Sequence, residues 1–119
     1  MTDDKKRMLQ ERMAALHEKY CKQLPEKYQE INNSWIEYKT DLSNVNFIET
    51  FYRLVHTLKG TAATFGFNTQ ADTCFEIQKL LLTVYEDHSV LPDASIALIQ
   101  KKLEELKSNI NTPADKISD

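Results

Sequence analysis

Apolar side chains recur every three or four residues from Leu9 through Met13, Leu16, Tyr20 and Leu24 to Tyr28, Ile31, Trp35, Tyr38 and Leu42. That spacing draws one stripe along a helix. Pro25 falls inside the series; it has no amide hydrogen and disfavours helical geometry at Leu24. The pattern therefore predicts two helices, about 4–23 and 25–40, set end to end across a kink or short break, with Pro25 in the first turn of the second. The polar run DLSNVN at 41–46 is a connection. Asn46 followed by Glu49 fits a capping-box variant that opens the next helix, with Ile48, Phe51, Val55, Leu58, Ala62 and Phe65 as its buried stripe. Gly66 comes next, where a helix end favours a left-handed glycine. After a short turn, Asn68 or Thr69 caps a helix over about 69–86, with Phe67 as its hydrophobic staple. Ala71, Cys74, Ile77, Leu81 and Val84 form the stripe of that helix, widened by Phe75, Leu80, Leu82 and Tyr85. Beyond the loop EDHSVLPD, a last helix over about 93–111 carries Ile96, Ile99, Leu103, Leu106 and Ile110.

Long helices with short connections pack as antiparallel neighbours. The expected fold is all-α: an up-down-up-down four-helix bundle over 25–111, an N-terminal helical extension over 1–24, and a frayed tail over 112–119. The composition agrees with it. Only 2 Gly and 3 Pro occur in 119 residues, too few for the frequent tight turns of a sheet protein. A hydrophobic fraction of 41% suffices for one core. The extension can pack over one end of the bundle, dimerise through its own stripe, or join a partner interface; packing is the favoured reading.

Charge narrows the function. The net charge of −3, with both signs mixed, argues against a nucleic-acid surface, and the basic cluster Lys5-Lys6-Arg7 follows Asp3-Asp4 as a solvated helix start. No apolar run nears the ~20 residues that span a bilayer, and no apolar segment follows the charged start, so neither membrane insertion nor a secretory signal is expected. Cys21 and Cys74 lack metal-type spacing and read as two buried small side chains in a reducing cytosol. His17 and His88 read as incidental surface residues, each without a second ligand at helical spacing.

Residues 56–66, HTLKGTAATFG, are different. Positions i, i+3 and i+4 share a helix face, so His56, Lys59 and Gly60 form one patch, with Tyr52 and Arg53 below and Ala63 above. The buried stripe through Val55 and Leu58 passes to one side, which leaves His56 exposed. Gly60 costs about 1 kcal/mol relative to alanine in a helix interior. What glycine offers there is a missing side chain, so that another backbone can come close. A neutral imidazole is a competent nucleophile, and a lysine one turn away suits phosphate as a point charge. No glycine-rich nucleotide loop, carboxylate cluster or partner acid or base accompanies them in sequence. The patch suits a phosphoryl acceptor that borrows its catalytic apparatus from another protein.

His56-Thr57-Leu58-Lys59-Gly60-Thr61-Ala62-Ala63, with Phe65-Gly66 behind it, resembles the H-x-L-K-G-[ST]-[AS] signature of histidine-containing phosphotransfer (HPt) domains. Ala71, Cys74, Ile77 and Gln78 continue the likeness, and QLPEKYQEI at 23–31 is similar to the family's first bundle helix; together they cover about residues 20–110. Thr61 replaces the commoner serine and keeps a hydroxyl. The resemblance implies that His56 carries the phosphoryl group, Lys59 steadies it and Gly60 admits a receiver domain. It also implies that Gln78 hydrogen-bonds the histidine, against the plainer reading of Gln78 as an ordinary exposed helix residue. It further implies a monomeric phosphorelay carrier in the cytoplasm, working with response-regulator receiver domains and a hybrid sensor histidine kinase. Such a carrier holds no cofactor of its own, its Mg²⁺ coming with the receiver. The competing reading is a helical adaptor that binds receiver or kinase domains without phosphotransfer. A self-contained histidine kinase or a phosphohistidine phosphatase lacks support, because no ATP-binding motif or second catalytic acid or base is present.

Overall fold

The structure, a computed structural model, describes residues 2–111; the expected frayed tail at 112–119 lies outside them. Four helices hold nearly all of the described chain: α1 (Thr2–Thr40), α2 (Val45–Thr64), α3 (Asn68–Asp87) and α4 (Asp93–Asn111). They run up, down, up and down, each packed on the next, and α4 closes the ring against α1. No strand occurs among the described residues.

The first helix corrects the sequence reading. Two helices set end to end across a kink or short break at Pro25 were expected, yet α1 is one helix that runs through Pro25. The reason is burial on both sides of the proline. Tyr20 and Leu24 before it, and Ile31, Trp35 and Tyr38 after it, all lie in the same core. A proline inside a helix costs about 3 kcal/mol. Unseating Tyr20 and Leu24 would forfeit about 1.5–3 kcal/mol each, so the continuous helix wins. Leu24 and Pro25, where the extension was expected to meet the bundle, therefore lie mid-helix.

Only the last part of the extension packs on the bundle. The Tyr20 ring stacks on Phe65 at 5.2 Å and His17 stacks on Phe67 at 5.1 Å, seating α1 against the α2–α3 turn. His17 is thus a half-buried packing residue, not an incidental surface one. Upstream of it, Met8, Leu9, Met13 and Leu16 all stand exposed.

Helix ends follow local chemistry with two departures. The cap of α2 is Asn44, not Asn46: its side chain accepts from the amides of Asn46 (3.0 Å) and Phe47 (3.3 Å), because Asn44 is the last extended residue and Asn46 is already helical. Neither Asn68 nor Thr69 caps α3, since both are helical; Phe67 holds the cap position, and its carbonyl accepts from Ala71 N–H at 3.0 Å. Gly66 takes φ +80°, with Phe67 N–H bonded to the Ala62 carbonyl and Gly66 N–H to that of Ala63, the paired bonds of a Schellman motif. His88, read as incidental, ends α3 in the left-handed conformation at φ 53°.

The core is centred on Trp35, Phe51, Val55, Ile77, Leu81, Ile99 and Leu103. Trp35 Nε1–H donates to Gln100 at 2.9 Å, so the largest buried ring keeps its polar atom satisfied. Phe65, expected inside, is only half-buried because it caps the bundle end beside Tyr20. Cys74 is buried, which pushes its thiol up to about 12. Cys21, expected buried, is half-exposed on α1, its sulfur 3.8 Å from His17 Nδ1.

Candidate functional site

Phe51, Val55, Leu58 and Ala62 turn the apolar face of α2 inward, so the residue after Val55 falls at the edge of the stripe. That residue is His56, and it is exposed at mid-helix. Gly60 is exposed one turn on, and a Cβ built there would meet nothing within 4 Å. Nothing inside the molecule therefore requires glycine at this point. Lys59 lies beside it, half-buried, with Nζ 5.4 Å from the centre of the Phe75 ring.

α3 supplies the other wall. Gln78, which the plainer reading left on the surface, is buried, with 8% of its surface exposed. Its Nε2 lies 2.7 Å from His56 Nδ1 and donates to the Tyr52 hydroxyl at 2.9 Å. Its Oε1 is buried without a partner. The two ends of a primary amide have nearly the same shape, so the tautomer of His56 decides which end faces the ring. With the proton on Nε2, the amide N–H donates to Nδ1. With the proton on Nδ1, a half-turn of the amide lets Oε1 accept from both Nδ1–H and the Tyr52 hydroxyl. Each arrangement leaves one end of the amide unsatisfied, so neither is strongly favoured over the other. In both, Gln78 occupies the Nδ1 side of the ring and Nε2 is the nitrogen left for chemistry.

The rings are organised too. Tyr52 lies parallel to His56, with centroids 6.2 Å apart and planes 6° from parallel, and stacks on Tyr85 at 5.5 Å. Tyr85 donates to Glu49 at 3.3 Å, and that carboxylate raises the tyrosine's pKa. The imidazole thus rests against a fixed aromatic neighbour.

His56, Lys59, Gly60 and Gln78, all anticipated from the sequence, meet at this one place. Two further groups were not anticipated. Phe75 is exposed and carries a second ammonium, Lys79, at 5.0 Å from its ring centre. Lys79 is also paired with Glu76 at 3.2 Å. Two cations about one ring beside a nucleophile make the surroundings favourable to an anion. Their signal is in the sequence: Phe75, Gln78, Lys79 and Leu82 share one face of α3 at helical spacing, beside the buried stripe through Cys74, Ile77 and Leu81.

Among the described residues, no three His, Cys, Asp or Glu side chains are grouped to hold a metal ion, and no helix is long and apolar enough to cross a membrane. Among solved structures, the CheA phosphotransferase domain from Thermotoga maritima has a similar fold, with a TM-score of 0.71 at 21% identity, covering 88% of this chain and 96% of that one. No curated protein matches the chain. The Hpt domain family model matches residues 15–109, a span that takes in all four helices, His56 and its neighbours, and the chain therefore belongs to the Hpt domain family.

Proposed function

We propose that the chain is a phosphorelay carrier whose His56 takes a phosphoryl group from the aspartyl phosphate of one receiver domain and gives it to the aspartate of another. The observation that carries this reading is the exposed His56 ring held on its Nδ1 side by the buried Gln78. In the tautomer protonated at Nδ1, the Nε2 lone pair attacks phosphorus. The P–O bond to the aspartate breaks as the N–P bond forms, and the carboxylate leaves with the bonding pair. No proton need move, because Nδ1–H stays bonded to the turned amide of Gln78. Phosphoryl transfer of this kind depends on in-line positioning and charge stabilisation.

The remaining groups have supporting parts. Lys59 is within a turn of His56 and its flexible stem can bring the ammonium to the phosphoryl oxygens. The receiver brings Mg²⁺ and its carboxylates. Gly60 lets the receiver's backbone approach, since the space above it is open. A hybrid sensor histidine kinase, which carries a receiver of its own, fits as donor, and a response regulator fits as acceptor. A carrier of this kind acts as a monomer in the cytoplasm and needs no cofactor. An adaptor without transfer has no use for a buried amide dedicated to Nδ1.

The experiment is incubation with a phosphorylated receiver domain, followed by measurement of acid-labile, base-stable phosphate on the chain. Wild type should take up label and His56→Gln should take up none while melting at the same temperature. Label retained by His56→Gln would overturn the assignment.

A further inference from the structure

Residues 3–16 of α1 stand clear of the bundle, and their side chains are sorted. Leu9, Met13 and Leu16 continue, in steps of three and four, the line of Tyr20, Leu24 and Ile31 that faces the core. All three are exposed, Leu9 most of all at 61%. At 3.6 residues per turn, Lys5, Arg12 and Lys19 fall along one edge of this stripe, with Lys6 on the other edge. Asp4, Glu11 and Glu18 lie on the opposite side of the helix. The ion pairs are sorted in the same way. Arg7 pairs with Asp4 and Lys22 with Glu18, both on the back, whereas Lys5, Lys6, Arg12 and Lys19 make no ion pair among the described residues. Within residues 3–22, the cations beside the stripe are the ones that make no ion pair among the described residues.

We infer that this segment is a docking surface for an acidic amphipathic helix of another protein, which would lay its apolar seam on Leu9, Met13 and Leu16 and its carboxylates between the four cations. Three features select that occupant. An antiparallel second copy would bring Lys5, Arg12 and Lys19 against their own counterparts, a parallel one would give them no carboxylate to meet, and unpaired like charges flanking a helical seam oppose pairing. A bilayer is excluded by shape. The stripe faces the side of α1 on which the other three helices lie, so it opens into the notch above the α2–α3 turn. The molecule measures 57 × 24 × 20 Å, and a flat surface would strike the bundle before reaching the stripe. A helix about 10 Å across fits such a notch. The stripe also has no Trp or Phe and is narrow, unlike helices that lie in a membrane interface. Met13 adds an adaptable side chain of the kind that recurs on helix-binding surfaces. The surface is separate from His56 and does not rest on the phosphotransfer reading.

The test uses a labelled synthetic helical peptide of three heptads with leucine at a and d and glutamate at e and g, and the same peptide with lysine replacing glutamate. Fluorescence anisotropy against the full chain should show the glutamate peptide binding at least about tenfold more tightly than the lysine peptide, a margin that shrinks with salt. The double substitution Leu9→Glu and Leu16→Glu should abolish binding without moving the melting temperature, because neither side chain touches the core. The triple substitution Lys5→Glu, Arg12→Glu and Lys19→Glu should reverse the preference toward the lysine peptide. Equal binding of the two peptides, or an unchanged preference in the triple variant, would overturn the proposal. So would concentration-dependent dimers of the chain that exclude the peptide, or tighter binding to phosphatidylglycerol vesicles than to the peptide.

Discussion

Replacing Gly60 with alanine should make the protein more stable, and the size of the gain can be worked out in advance. Gly60 lies inside α2 with ordinary helical geometry; the one glycine at positive φ is Gly66. A methyl group at Gly60 meets no atom within 4 Å, so it creates neither a clash nor a buried contact. What remains is backbone propensity, worth about 0.8–1.0 kcal/mol in favour of alanine. For a chain of this length that corresponds to a rise of about 4 °C in Tm. Gly66→Ala is the internal control. The space around it is equally open, but φ +80° strains any L-residue, so it should lose about 1–2 kcal/mol. Thermal and urea melts of the two variants beside wild type provide the assay. A Gly60→Ala variant less stable than wild type would refute the reasoning, for it would mean that the backbone there needs glycine. If stability rises as expected, the cost of Gly60 has to be balanced outside the molecule. Gly60→Gln then follows as the functional arm: it should fold with full stability and still slow phosphate uptake from a receiver, and uptake at the wild-type rate would show that close approach is not what keeps the glycine.

Lys59→Met keeps most of the side-chain stem, so stability should shift by no more than about 0.5 kcal/mol, whereas phosphate uptake should slow about tenfold, the factor given by a lost charge contact of ~1.4 kcal/mol; Lys59→Arg should recover part of the rate in the same timed assay. Gln78→Glu keeps an acceptor for Nδ1–H and should retain uptake, while Gln78→Leu offers none and should lose about tenfold in initial rate; equal rates in the two would remove Gln78 from the proposed site. Burial pushes both the Cys74 thiol and the Tyr38 hydroxyl up to about 12. Their folded-state pKa values therefore lie above the unfolded ones, so the stability they lend is full below about pH 8.5, where the unfolded thiol begins to ionise, and is lost as pH climbs toward 12. Urea midpoints should fall steadily from pH 8.5 to 11, and a thiol reagent at pH 8 should modify Cys21 in the native protein but Cys74 only after unfolding.

The parts of the fold that were legible in the sequence are those where a single rule decides. The stripe of α2 and the exposed position of His56 beside Val55 both follow from helical periodicity. Gly66 at positive φ follows from the lack of a Cβ. The misreadings fall where two rules compete. Pro25 obeys a local rule against helix, and the burial of Tyr20 and Leu24 overrides it only once the other helices are in place. Asn44 and Asn46 are both competent caps, and the choice depends on which is last in extended geometry. Gln78 was legible as a candidate, but its burial depends on the crossing of α2 and α3, which no spacing within α3 reports. Phe75 and Lys79 were missed for a related reason: an exposed aromatic gains meaning only when cations from two helices converge on it.

The unbroken course of α1 has a consequence for amide hydrogen exchange. An isolated helix of 15 residues is marginal in water, because its first turn is costly to form. Residues 3–16 avoid that cost, since the helix is already nucleated by the segment seated in the core from Tyr20 onward. They can still open from the N-terminal end of α1 one residue at a time. Protection should therefore climb gradually from Asp3 and step up sharply at Tyr20 and Leu24. Pro25 has no amide, which leaves the Cys21 carbonyl without its usual partner and interrupts the ladder at that level. Opening that starts upstream has little reason to pass this point, so α1 should exchange as two cooperative units within one continuous helix.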